Sequence, residues 1–578
     1  MDVSARAIAR AERDVLAELS RRDPALLGSY RDHVRRATQI VGDRLARAAT
    51  VEHVALDDLS DAAQRQLGNC VANYALALLG AQQRAHRLRG EAGAGHTMLS
   101  WARAQRRADP DRSVLAFFEQ WVIDGHPLHP ATKVREPMTA ADVLDTSPEW
   151  GNVVPLAVAA LAPTIAVEHG GPADSMPSSG GALTRLLLAE HPGLDRALAD
   201  EGLPHGSSTL IPLHPWQVRN VVAERYGPQQ RSWELRLLKP TIPARPLVSY
   251  RTLVPLATPR ARHPHHLKTS LSVQLTNAVR GNSPAATHNA PALSALLTEI
   301  LSAEAGFDGR LTVLAEPASA RFAAPGSTTD DDSSGLSRSA AVSAIARQNP
   351  EEGLGATELV LPTGALWATS PLSDQPILGE LLDELRAGTP LTRAQAAELF
   401  ARHYARLVLP PILTLLTKYG VAMEAHGENT LLVLRAGRPV RCVLRDLGGI
   451  RIHPGRLAGV QRRVDLLPGS HLATDDADEL RNKTYYAQFV NDAGQLVSCL
   501  ARLSGAPPGT FWRHLAAAAR ATFDTLARQP GTRKAACADA EALLSRPWPH
   551  KALLSMWLTG AVTDYIYLPV PNPLSQLP

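Results

Sequence analysis

An α+β fold is predicted by three features of the sequence. The first hundred residues are helical in texture, the middle third is built of short alternating segments flanked by Pro, Gly and Asn, and helical periodicity returns after residue 376 with one hairpin embedded in it. Hydrophobic residues make up 45% of the 578-residue chain and aromatic ones only 5%, so Ala/Leu helices outweigh β structure. That length holds roughly two to four domains. We divide it into a helical region over 1–120, a β-containing region over 121–375 and a mostly helical region over 376–578.

In the first region, residues 62–88 carry Leu67, Val71, Tyr74, Ala75, Leu78 and Leu79 at three- and four-residue spacing, the mark of one packed helix face. From Phe117 onward, 209–215, 247–256 and 271–275 are expected as strands and turns, and the polar run 325–339 as a mobile loop. Helices are expected over 377–386, 393–418, 508–528 and 538–544, with a hairpin of 430–434 and 440–444 joined by RAGRP.

Composition excludes several functions. Net charge is +4 with no basic run of five, which gives a nucleic-acid partner no support. The N-terminus lacks the apolar core of a signal peptide, and the apolar stretches 153–167 and 407–416 are too short to span a bilayer, so a cytoplasmic protein with no membrane partner is expected. The four cysteines, Cys70, Cys442, Cys499 and Cys537, form no close pair and fit a reducing compartment. Only 7 of the 60 basic residues are Lys, so each Lys within a motif stands out. Phosphate loops, a nucleophile elbow and H-E-x-x-H are all missing.

Three polar clusters remain. Gly125–Arg135, GHPLHPATKVR, brings His126, His129, Lys133 and Arg135 into an extended, Pro-braced strip suited to holding an anion. Ser249, Arg251 and Thr252 precede Lys268, Thr276 and Arg280. If 268–276 is one strand, Lys268, Ser270, Ser272, Gln274 and Thr276 share a face suited to a polyphosphate. Third, EAHGEN (424–429) enters a hairpin and Arg445-Asp446-Leu447-Gly448-Gly449 leaves it, so Asn429 and Asp446 converge as oxygen ligands for Mg²⁺ on nucleotide phosphates. The neighbouring His263, His265 and His266 have no carboxylate or thiol at ligand spacing and read as a surface cluster.

These motifs, with PLHPWQ (212–217) and Asn572-Pro573-Leu574, run in one order over 125–574, and together the chain resembles the IucA/IucC family of NRPS-independent siderophore synthetases. The resemblance implies a thumb, fingers and palm architecture, the palm kinase-like, with the thumb over 1–120, fingers over 121–375 and palm over 376–578. It also implies adenylation of a carboxylate, citrate or a citrate derivative, by ATP and Mg²⁺. An amine or alcohol then displaces AMP to give an amide or ester. Carried over, Ser249, Arg251, Thr252, Lys268, His426, Glu428, Asn429 and Asp446 hold ATP, and Asn429 and Asp446 also hold the metal. His126, His129, Lys133, Arg135, Thr276 and Arg280 face the carboxylate. Arg280, His426 and Lys268 are the catalytic set, with His426 also the candidate base for the incoming amine. The family commonly has Gln where this chain has Glu428. Family members are often dimers, and the Ala-rich N-terminal helices could serve that contact. A small-molecule kinase and a non-catalytic polycarboxylate-binding protein are the competing readings; AMP with pyrophosphate, ADP, or no turnover tells the three apart.

Overall fold

The computed structural model describes residues 4–57, 59–171, 181–204, 206–323, 337–562, 564–575 and 577. Three long helices open the chain, Ala5–Arg22, Leu26–Glu52 and Asp61–Ala92, the first and third capped by Ser4 and Ser60, whose side chains accept the Ala7 and Ala63 amides. The expected face of the third helix is inward, with Leu67, Val71, Tyr74, Ala75 and Leu79 buried and Leu78 half-buried.

The middle of the chain forms a nine-stranded sheet. Along it run Ala166–Gly170, Ala318–Phe322, Ser343–Arg347, His266–Thr269, Thr252–Pro255, Ile242–Pro246, Val154–Leu161 and Thr209–Leu213, with Leu235–Leu237 also pairing Val154–Leu161. Neighbours are antiparallel throughout. One hydrophobic core joins this sheet to the first three helices, from Ile8 through Leu79 to Ala346.

The expected hairpin is present as Thr430–Arg435 and Arg438–Leu444, turned by Ala436 and Gly437, both at positive φ (48° and 73°), the conformation a tight two-residue hairpin loop demands. It is the centre of a four-stranded sheet, flanked by Leu359–Pro362 and, in parallel, by Leu311–Val313. Helices Ile377–Arg386, Arg393–Tyr419, Pro508–Ala527 and Arg533–Leu544 surround it, close to their expected limits.

Three expectations change. The two cores cross the boundaries at 120 and 375: Met98–Val122 and the strands at 311–313 and 359–362 pack with the C-terminal helices, whereas Leu554 and Trp557 pack with the sheet. The single strand over 268–276 is broken at Ser270, where one part joins the nine-stranded sheet and Leu271–Leu275 turns away to pair with Ala278–Arg280. The break has a local cause, because the Ser270 hydroxyl bonds Ser343 Oγ at 2.7 Å and accepts the Asn282 amide at 3.1 Å. The run 325–339 lies outside the described residues as far as 336, and Ser337 caps a short helix, Arg338–Ala341. Among the described residues no helix is long and apolar enough to cross a membrane, and all four cysteines are unpaired.

Candidate active site

Between the two sheets lie two adjoining cavities of about 330 and 740 Å³ that share Arg251, Asn277, Arg280, Glu424 and Asp446 as a common wall. Every residue that the family resemblance assigns to ATP, metal or carboxylate lines one or both of them. His126, His129, Lys133, Arg135, Ser249, Thr252, Thr276, His426, Glu428 and Asn429 face the smaller, and Lys268 faces the larger with Gly448 and Gly449.

Three of these positions are held by unusual backbone. Tyr250, Thr276 and Asp446 adopt positive φ (71°, 61° and 72°), a region that non-glycine residues occupy at a cost of about 1–3 kcal/mol. The turn at Thr276 brings Arg280 back so that its Nη2 donates to Thr276 Oγ1 at 3.1 Å. Arg251 braces the same loop, one nitrogen donating to the Arg280 and Gly281 carbonyls and to Asn282 Oδ1 at 2.9–3.0 Å. Burial, reinforced by Arg280, lowers the Arg251 pKa to about 10.

Asp446 is where the two halves of the molecule meet. Its Oδ1 accepts Lys268 Nζ at 2.7 Å and lies 3.6 Å from Arg347, itself bound to Glu316 Oε1 at 2.7 Å. Lys268, Arg347 and Arg251 together hold the Asp446 carboxyl well below its usual range, against the opposing effect of burial. At the other end of the hairpin, the Glu428 amide donates to His426 Nδ1 at 3.2 Å, and His426 Nε2 lies 3.3 Å from Asn429 Nδ2, whose amide also donates to the Glu424 carbonyl at 3.1 Å.

The Gly125–Arg135 strip also departs from expectation. His129 Nε2 bonds Asn277 Oδ1 at 2.5 Å, and burial lowers its pKa to about 4, so both it and His126, also lowered by burial, are neutral near pH 7. Lys133 lies in the wall with its ammonium on Glu149, both side chains under 5% exposed. Arg135 stacks its guanidinium 5.0 Å above Tyr250 and donates to the Val134 carbonyl at 2.8 Å. The strip offers a stacked guanidinium; the ring nitrogens of His126 and His129 are engaged by Leu128, Asn491, Ala131 and Asn277, and its lysine charge is already neutralised. Ser270 and Ser272 face protein partners, the latter held by Gln217 of PLHPWQ at 2.9 Å. Asn572, from the last motif, ties the C-terminal segment to the Leu543 and Arg546 carbonyls.

Sequence reading missed Lys483, Lys551 and Tyr565. Lys551 and Tyr565 line the smaller cavity, the ammonium 3.5 Å from the ring centroid, and Lys483 donates to Glu424 Oε1 at 2.6 Å. Lys483 above all, opposing burial, lowers the Glu424 pKa to about 2. The scarcity of lysine was the available signal, since Lys133, Lys268, Lys483 and Lys551 all belong to this place. Also missed was the amino end of helix Pro284–Ala303, whose cap Ser283 lines the larger cavity.

For a divalent cation, Asn429 Oδ1 and Asp446 Oδ2 are oxygens open to a ligand, with the Glu428 carboxylate on the same cavity wall. Among the described residues no three His, Cys, Asp or Glu side chains gather into a metal cluster, so these two would suit a Mg²⁺ that takes its other ligands from phosphate and water.

Residues 114–368 match the IucA/IucC family, and 398–565 match the ferric iron reductase FhuF-like transporter family. The IucA/IucC match covers a little under half of the chain. To staphyloferrin A synthase of Staphylococcus aureus this chain is 27% identical, over 69% of this chain and 63% of that protein. To D-ornithine–citrate ligase of the same organism it is 26% identical, over 79% of this chain and 69% of that one. The chain thus spans about two thirds of these relatives' length. Its fold matches ATP-bound aerobactin synthetase IucA from Klebsiella pneumoniae with a TM-score of 0.70 at 20% identity, over 92% of this chain and 86% of that one.

Proposed function

We propose that this protein is an ATP-dependent, AMP-forming ligase of siderophore assembly, which adenylates citrate or a citrate derivative and passes the acyl group to an amine or alcohol. The observation that carries the reading is the shared wall: Arg251, Arg280 and Asp446 stand between two adjoining cavities, one suited to a carboxylate and one to a polyphosphate. The relatives' names supply the chemistry, a ligase acting on D-ornithine and citrate and an ATP-bound synthetase.

In this reading the carboxylate rests on Arg135, Arg280 and Thr276, beside the rings of His126 and His129. The triphosphate lies along Lys268, Ser283, Gly448 and Gly449 in the larger cavity and reaches Ser249 and Thr252 across the common wall. A carboxylate oxygen attacks the α-phosphorus, and the bond from that phosphorus to the bridging oxygen of pyrophosphate breaks. Arg280, on the common wall, faces the negative charge that builds there, with His426 beside it. Bound Mg²⁺ at Asn429 and Asp446 would supply neutralisation of the leaving pyrophosphate. The amine or alcohol then attacks the acyl carbon, the bond to AMP breaks, and the nucleophile's proton passes to AMP or water. Held geometry and fixed donors provide the rate, with no covalent enzyme intermediate.

Purified protein with ATP, Mg²⁺, citrate and hydroxylamine should release pyrophosphate and AMP and form a hydroxamate. Release of ADP would favour a kinase instead, and binding of citrate without turnover on any acid or amine would favour a carrier.

A further inference from the structure

A third cavity, sharing no residue with the two above, lies between helix Asp61–Ala92, the segment around Phe117 and strand Ile242–Pro246. Its volume is about 210 Å³, below the range of drug-sized pockets and suited to a one-ring ligand. Trp101, Trp121 and Trp150 form flat walls, and Arg84, Arg112 and Arg245 bring guanidiniums to them.

The charges are only partly compensated: Glu91 also lines the cavity and Glu149 favours the charged form of Arg84 from a distance. Among the described residues none of these three arginines has a carboxylate within 4 Å, and each makes one side-chain hydrogen bond, from Nη1. Arg84 donates to the Gln120 carbonyl at 2.9 Å, Arg112 to Gln105 at 2.8 Å and Arg245 to the Gly151 carbonyl at 3.4 Å. The remaining N–H groups of each fork have no partner there. The indole N–H groups of Trp121 and Trp150 are likewise buried without a hydrogen-bond partner among the described residues. Arg84 stacks 4.2 Å above Trp121 and Arg112 5.0 Å above Trp101. Burial above all, with repulsion from Arg87 and Arg245, drops the Arg84 pKa to about 9.

Buried indole donors and a buried guanidinium such as that of Arg84 are costly when unmatched, and the half-buried Arg112 and Arg245 stand beside them. Arginine forks match carboxylates with two parallel bonds, and tryptophan walls match a flat ring. From these residues we propose a second binding site for a small aromatic carboxylate, its carboxylate on Arg112 and Arg245 and its ring among the tryptophans. This site is independent of the ligase reading, because none of its residues takes part in that chemistry.

The test is titration of the full chain with benzoate, followed by tryptophan fluorescence and calorimetry, with benzamide, cyclohexanecarboxylate and inorganic phosphate as controls. Benzoate should saturate one site at least tenfold tighter than any control and weaken as salt rises. Arg112→Gln and Arg245→Gln, each at partly exposed positions, should each weaken it at least tenfold with an unchanged melting temperature, while Arg280→Ala binds as wild type. Equal affinity for benzoate and benzamide or cyclohexanecarboxylate would overturn the proposal. So would wild-type affinity in both fork variants, or loss in Arg280→Ala with retention in the fork variants, which would place benzoate in the main cavity.

Discussion

Lys133 and Lys268 look alike in sequence, each a rare lysine in a motif, and both side chains are only 3% exposed. Their partners differ. Glu149 is as buried as Lys133, whereas Asp446 is 30% exposed and opens into the cavity between the two sheets. A closed pair serves packing, because neither charge remains for a ligand. An open pair, with Arg347 and Arg251 beside it, keeps a positive surface facing the space where an anion can sit. Counting cations in a motif therefore overstates what it binds, and the state of each cation's partner decides.

Severing the closed pair should have the largest effect. Lys133→Met strands the Glu149 carboxylate in the interior and should cost about 3–5 kcal/mol of stability, read by denaturant unfolding. Adding Glu149→Gln should recover more than half of it. If Lys133→Met instead unfolds like wild type and loses only citrate affinity, the closed pair is functional and the contrast fails. On the open side, Arg280→Ala should lower pyrophosphate release roughly 10²–10³-fold with little change in melting temperature. A matched loss of stability would make Arg280 structural.

A smaller effect concerns pH. The folded-state pKa of His129 is depressed to about 4, so between that value and 6.5 the unfolded chain binds the proton and the folded one does not. Stability contributed by the neutral ring is then present above pH 6.5 and lost as pH falls toward 4. Replacing His129 by Asn should flatten the dependence by up to about 1.4 kcal/mol per pH unit, measured as unfolding free energy across that window. The smallest change is at Glu428, whose carboxylate lines the cavity without a hydrogen-bond partner among the described residues. With like charge removed, Glu428→Gln should lower KM for ATP by about two- to fivefold, with kcat nearly unchanged. An increase in KM would show that the acid contacts the nucleotide directly.

Much of this was legible from residue order. Helix Ile377–Arg386 begins and ends where its apolar spacing does, and the hairpin turn at Ala436-Gly437 sits where RAGRP interrupts two apolar runs. The motif residues of the site were legible too, and all of them line the two cavities. The break at Ser270 was not, because it depends on Ser343 and Asn282, distant in sequence. Nor were Lys483 and Lys551, which sit in no recognisable pattern and reach the cavity through Glu424 and Tyr565.

What the sequence determined by itself is local: helix periods, turn residues, the order of motifs and through them a family resemblance. Those follow from interactions within a few residues, which composition and spacing record directly. The tertiary structure alone decided which charges are neutralised and where the cavities open. Lys268 meets Asp446 across 178 positions of chain and Arg445 meets Glu119 across 326, and no periodicity encodes such meetings. They arise only when two sheets and their helices close around a shared interior, where an unpaired charge is too costly to leave alone.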